Sequence, residues 1–168
     1  SSLRRQSCGG SAVGSPRALV YPGGMDAEVP FLAVADMQAS LSFYVDGLGF
    51  EVTQRWEKDG VLRWCRLEHG QAALMLQQYR NEGPDARQFS DNKGEGVILA
   101  FFCQEAVAYY EELRQRGIHA DEPAVSNRMW NFAVTDPDGF CLEFESYTDA
   151  TEGTTLSQMV DRAEPPPR

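Results

Sequence analysis

The chain nearly repeats itself, and that constrains its fold more than any other feature. "RWCRLEHGQAALMLQ" from Arg63 and "NFAVTDPDGFCLEFE" from Asn131 share one form: an apolar strand, a turn containing glycine, and a second apolar strand. Asn131 lies 68 positions after Arg63, and the same offset carries "VPFLAVAD" at Val29 onto "VILAFFCQ" at Val97. Two copies of one supersecondary unit must bury their apolar faces against something larger than themselves.

Each short β run leads into a helical stripe. Met37, Leu41, Tyr44, Val45 and Leu48 recur at steps of three and four, with Asp36 as N-cap and the glycines of "GLGF" closing the segment. In the second copy the stripe is Ala106, Val107, Tyr110 and Leu113, closed by Gly117. A strand is expected after each helix, "FEVTQRW" from Phe50 and around "IHAD" from Ile118. The pattern therefore reads βαβββ twice, an α+β chain. Its expected divisions are a flexible leader or arm over 1–25, a first module over 26–81, a polar linker over 82–95, a second module over 96–149, and a C-terminal tail over 150–168. The tail has a short helix expected around Leu156 to Ala163, and its three closing prolines cannot extend it.

Turn positions give an expected register. A turn centred on His69-Gly70 sets Trp64 opposite Met75 and Leu62 opposite Gln77; one centred on Pro137-Asp138 sets Phe132 opposite Glu143 and Trp130 opposite Glu145. An odd loop or a bulge would break this pairing. One face then collects Trp64, Met75 and Gln77 with Trp130, Phe132, Cys141, Glu143 and Glu145, joined by Val97, Leu99 and Phe101, and by Val29, Phe31 and Ala33. Leu74, Leu76, Ala133, Leu142 and Phe144, with Ile98, Ala100 and Phe102, are left to pack against helices.

Composition narrows the partners. The 168 residues carry a formal net charge of −10, so no basic face for nucleic acid is expected. No apolar run approaches the roughly 20 residues that cross a bilayer, so no membrane partner is expected. Cys8, Cys65, Cys103 and Cys141 form no CxxC pair and read as reduced thiols of a cytoplasmic protein.

The tandem βαβββ pattern, "FLAVADMQASLSFYVDGLGFEV" (Phe31 to Val52) and "VTDPDGFCLEFES" (Val134 to Ser146) resemble the vicinal oxygen chelate superfamily, the group of glyoxalase I, bleomycin-resistance proteins and extradiol dioxygenases. The resemblance covers about 120 residues from Val29 to Thr148. It implies an eight-stranded, cup-shaped mixed sheet with helices on the outer face. It also implies four metal-ligand positions, here Val29, Met75, Val97 and Glu143, of which only Glu143 is a suitable donor. His69 and His119 match none of them, and Cys103 and Cys141 are better explained by packing. The chain is thus closest to the metal-free, bleomycin-resistance-like branch, whose members are typically homodimers with ligand grooves between subunits. No metal or other cofactor is expected.

The residues expected to bind ligand are Phe31, Trp64, Met75, Gln77, Leu99, Phe101, Trp130, Phe132, Glu143 and Glu145. Aromatic faces stack on planar groups and attract cations, and carboxylates supply charge and acceptors. The first expectation is a protein that sequesters a planar cationic drug or metabolite without chemistry. The alternatives are a lyase, isomerase or dioxygenase-type enzyme with Glu143 as general base or sole ligand, and a degenerate interaction module. Were Arg63, Arg66 or Arg128 to pair with Glu143, the cup would lose its anionic character.

Overall fold

The computed structural model describes residues 27–80, 86–89 and 93–163. The expected leader lies outside the described residues, as does part of the linker over 82–95.

The first module contains β1 (Phe31–Val34), α1 (Met37–Leu41), β2 (Glu51–Lys58), β3 (Val61–His69) and β4 (Ala72–Gln78). The second contains β5 (Ile98–Phe102), α2 (Ala106–Gln115), β6 (Ala124–Ser126), β7 (Met129–Thr135) and β8 (Cys141–Tyr147), followed by α3 (Leu156–Ala163). The eight strands form two four-stranded mixed sheets, ordered β1-β4-β3-β2 and β5-β8-β7-β6. Each first strand runs parallel to its module's last strand, and the other pairs are antiparallel.

The local signals explain most boundaries. Asp36 caps α1, its Oδ1 accepting from Gln38 N at 2.9 Å and Ala39 N at 3.1 Å. The helix widens into a π-helical turn over Ser42–Gly47, where Leu48 N donates to Phe43 O at 2.9 Å. Between β6 and β7, Asn127 and Arg128 both have positive φ, 52° and 63°, as a type I′ turn requires. Replacing Asp36 by alanine should cost about 1 kcal/mol, read as a fall in Tm of about 2–4 °C.

A single core joins the modules. Leu32, Val34, Leu74 and Leu76 from the first sheet, Phe132, Leu142 and Phe144 from the second, and Tyr44, Tyr110 and Leu113 from the helical segments all belong to it. Polar contacts reinforce the junction. Tyr44 OH donates to Asp136 Oδ2 at 2.8 Å, Ala35 N to Asp138 Oδ1 at 3.0 Å, and Tyr109 OH to Leu48 O at 2.6 Å.

Three expectations need correction. The strand expected around Ile118 is absent there; β6 begins at Ala124, and Ile118 instead packs so tightly on Gly47 that a Cβ would lie 2.5 Å from its Cδ1. In the first hairpin Trp64 pairs with Gln77 and Arg66 with Met75, because Gly70 and Gln71 form the turn. That is a slip of two residues, so the faces are unchanged. In the second hairpin the slip is one residue: Phe132 pairs with Phe144, Ala133 with Glu143 and Asn131 with Glu145. The connection over Asp136–Phe140 holds five residues, an odd number, so every side chain of β7 changes face.

Candidate functional site

Each sheet turns one face into the shared core and leaves the other open. On the first sheet the open face carries Phe31 beside Met75, Ala33 beside Gln77, Arg66 beside Met75, and Trp64 between Gln77 and Trp56. On the second sheet Glu143 lies between Ala100 and Ala133, and Glu145 between Phe102 and Asn131. Ile98 and Cys141 share this face, and Tyr147 ends it. Large apolar side chains stand in the open: Phe31 is 50% exposed, Trp56 51%, Ile98 61% and Phe102 71%.

Phe31, Trp64, Met75 and Gln77 therefore fall together, and so do Glu143 and Glu145. Leu99, Phe101, Trp130 and Phe132 do not join them. Leu99 and Phe101 pair with Leu142 and Phe144, and Trp130 pairs with Ser146, all on the core side. Trp130 and Phe132 are buried, and the Phe132 ring stacks on Phe144 with centroids 5.3 Å apart. The cause on β5 is a difference of one residue between the modules. Met75 follows its neighbour Phe31 by 44 positions, whereas Glu143 follows Ala100 by 43. The offset of 68 thus holds for the last strand of each module but becomes 69 for the first, which reverses Ile98, Ala100 and Phe102 relative to expectation. Trp56, Ile98 and Phe102 are open-face residues that sequence reasoning missed. The alternation of "VILAFFC" could have found two of them only with the register in hand.

The open face keeps its carboxylates. Arg66 Nε donates to Glu68 Oε1 at 2.7 Å, and Arg128 lies 3.5 Å from Asp149. Among the described residues no ion pair reaches Glu143 or Glu145, and none involves Arg63. The four positions carried over as metal ligands supply one carboxylate and one thioether. Val29 and Val97 precede their strands, and the strand residues beside Met75 and Glu143 are Phe31 and Ala100, neither a donor. Among the described residues no three His, Cys, Asp or Glu side chains converge on a point where an ion could sit. Cys65, Cys103 and Cys141 are free thiols, and burial pushes each of them up. Among the described residues no helix is long and apolar enough to cross a membrane.

The "DPDG" turn itself is structural. Asp136 is buried and accepts from Asp138 N at 2.9 Å and Phe140 N at 2.8 Å as well as from Tyr44 OH. Asp138, also buried, accepts from Ala35 N and pairs with Lys93. Burial raises the Asp136 carboxyl above its ordinary value despite these donors, and burial with the nearby carboxylates pushes the Tyr44 phenol far up.

Comparison with known proteins agrees with this architecture. A search of curated proteins gave no match. Among solved structures, UcmS2 superposes with a TM-score of 0.59 at 22% identity, covering 72% of this chain and 98% of its own. TnmS3, described as an antibiotic binding protein from Streptomyces sp. CB03234, gives a TM-score of 0.54 at 18% identity and covers 74% of this chain and 100% of its own. SMU.1112c gives 0.58 at 23%, with 72% and 98% covered. At these identities the likeness concerns the fold. The family model described as "Glyoxalase/Bleomycin resistance protein/Dioxygenase superfamily" matches residues 27–144. With two βαβββ modules in sequence and a match over most of its length, the chain belongs to the glyoxalase/bleomycin resistance protein/dioxygenase superfamily.

Proposed function

We propose that this protein holds a planar, cationic small molecule against the open faces of its sheets and performs no chemistry on it. The observation that carries this reading is the make-up of those faces. Exposed Phe31, Trp56 and Phe102 and half-buried Trp64 offer flat apolar area, while among the described residues no arginine pairs with Glu143 or Glu145. A cation stacked on such rings gains both the quadrupole and the carboxylate field. A similar fold in a protein described as antibiotic binding supports the same direction, and a bleomycin-like antibiotic has the required chemistry. A second copy of the chain covering part of these faces would bury their apolar area and leave the ligand in a groove between subunits. A cytoplasmic location belongs to the same proposal.

The test is a thermal-shift and titration series with bleomycin, with proflavine as a small planar cation, and with manganese, nickel and zinc salts. Ligand at a hundredfold excess over Kd should stabilise the fold by about 2.7 kcal/mol and raise Tm by about 5–10 °C. Trp64→Ala and Glu143→Gln should each weaken binding about tenfold. A metal-induced shift that disappears in Glu143→Ala would overturn the metal-free reading, and no shift with any planar cation would overturn sequestration. Sedimentation of the unliganded protein should give a dimer, and a monomer would remove the shared groove.

A further inference from the structure

A second concavity lies on the core side of the molecule, where the modules meet. It is a cleft of about 630 Å³ between the tip of the β3–β4 hairpin and the corner joining β5 to α2. That volume is in the range of ordinary small-molecule sites, roughly 300–1,000 Å³.

Its walls are aromatic from both sides. The first module contributes His69 and Phe50, whose rings meet edge to face at 5.5 Å. The second contributes Phe101, Tyr109 and Phe144; Phe101 stacks on Phe144 at 5.3 Å, and Tyr109 meets Phe144 edge-on at 5.0 Å. Contacts across the junction, Phe50 to Phe101 at 6.1 Å and His69 to Tyr109 at 6.2 Å, make the walls continuous. The Tyr109 hydroxyl is already committed to Leu48 O, which fixes its ring in place. Glu105 and Glu112 line the cleft beside the imidazole of His69 and the amides of Gln71 and Gln104, and among the described residues no lysine or arginine does. Glu112 is partnered by Arg116, but Glu105 stands at the start of α2 with no side-chain capping bond. The thiol of Cys103 donates to Glu145 O at 3.4 Å, and burial holds its pKa up, so the lining offers binding rather than a nucleophile.

We propose that this cleft is a second binding site, for a compact planar aromatic amine, separate from the open sheet faces. A planar ring laid against the continuous wall of His69, Tyr109 and Phe101 covers apolar surface, and the ammonium or amidinium group lies toward Glu105. Because the open faces and the cleft share no aromatic residue except Phe102, each site can be disabled alone.

Proflavine titrated into the full chain, followed by calorimetry, separates the two. Ala108 faces the cleft from an exposed position on α2, and Gln104 lines its entrance. Ala108→Trp, with Gln104→Trp as an independent plug, should remove one class of sites or weaken it at least about tenfold while Tm stays near that of the parent. Glu105→Gln should weaken the same class about three- to fivefold. Anthracene-9-carboxylate, of similar shape and opposite charge, should bind the cleft at least about tenfold more weakly than proflavine. Trp64→Ala and Glu143→Gln should leave this class untouched, so its survival in those variants keeps it distinct from the face site. Unchanged titrations in both tryptophan variants would overturn the proposal, as would equal affinity for the anionic probe or no proflavine binding at all. Loss in the cleft variants with no effect of the face variants supports the cleft and counts against the face reading.

Discussion

Asp136→Ala should destabilise the fold by about 4 kcal/mol, a fall in Tm of roughly 8–16 °C. The carboxylate is the common acceptor for three buried donors, the Tyr44 hydroxyl and the backbone N–H groups of Asp138 and Phe140. Alanine leaves all three in a water-poor site, and each unsatisfied donor costs about 1–3 kcal/mol, partly relieved by relaxation. Tyr44→Phe takes away the donor to Oδ2 while Oδ1 keeps its two backbone donors, so about 1–2 kcal/mol is expected. The double variant should cost less than the sum, a coupling of about 1 kcal/mol that a double-mutant cycle would read. Strict additivity would mean that the Tyr44–Asp136 bond does not link the modules. The pH dependence has a definite sign. Burial raises the folded-state pKa of Asp136, so the folded chain holds its proton more tightly than the unfolded chain. This group therefore contributes a loss of stability as pH rises from the ordinary carboxylate value through the raised one. Asp136→Asn, which keeps the shape and one of the two acceptor oxygens but cannot ionise, should flatten that part of the stability–pH curve.

The repeat made the tandem βαβββ order legible because strands, helical stripes and closing glycines each leave a local signal. Asp36 and Gly117 ended or began helices as their chemistry requires. The faces were less legible, because side-chain direction depends on counting. A two-residue slip in the first hairpin did no harm to Trp64, Met75 and Gln77. A one-residue slip in the second moved Trp130 and Phe132 into the core, and one residue fewer between Ala100 and Glu143 did the same to Leu99 and Phe101. Nothing in "TDPDGFC" states that Asp136 will fold back to accept from Phe140 and so make the loop five residues long. The cleft was illegible for another reason. Phe50 just before β2, His69 of β3, Phe101 of β5 and Tyr109 of α2 come from four separate segments, and only the packing of one module on the other brings them together.

Gly94→Ala is expected to cost about 2–3 kcal/mol, although the substitution looks innocent in sequence. Elsewhere, exchanging glycine for alanine at a compatible backbone angle stabilises by about 0.4–1 kcal/mol, because the unfolded chain loses freedom. Here the added Cβ would lie 2.2 Å from Gly139 O and 2.6 Å from Phe140 Cα. Both are backbone atoms of the "DPDG" loop, which Asp136 holds from within, so neither can swing aside. Relief requires the segment around Gly94 to lift off the loop. That would strain the ion pair between Lys93 and Asp138 and the bond from Val97 N to Gly94 O at 3.0 Å, just before β5 begins. Gly96, two residues on, gives the contrast: nothing lies within 4 Å of its Cβ position, but its φ is +77°. Alanine there should cost about 1–2 kcal/mol through the backbone alone. Hydrogen exchange tells the two apart. Gly94→Ala should speed exchange at Gly139 and Phe140 across the contact, whereas Gly96→Ala should disturb only its own turn. Unchanged protection of the loop in Gly94→Ala would show that the approach of the chain to "DPDG" is not what fixes the start of the second module.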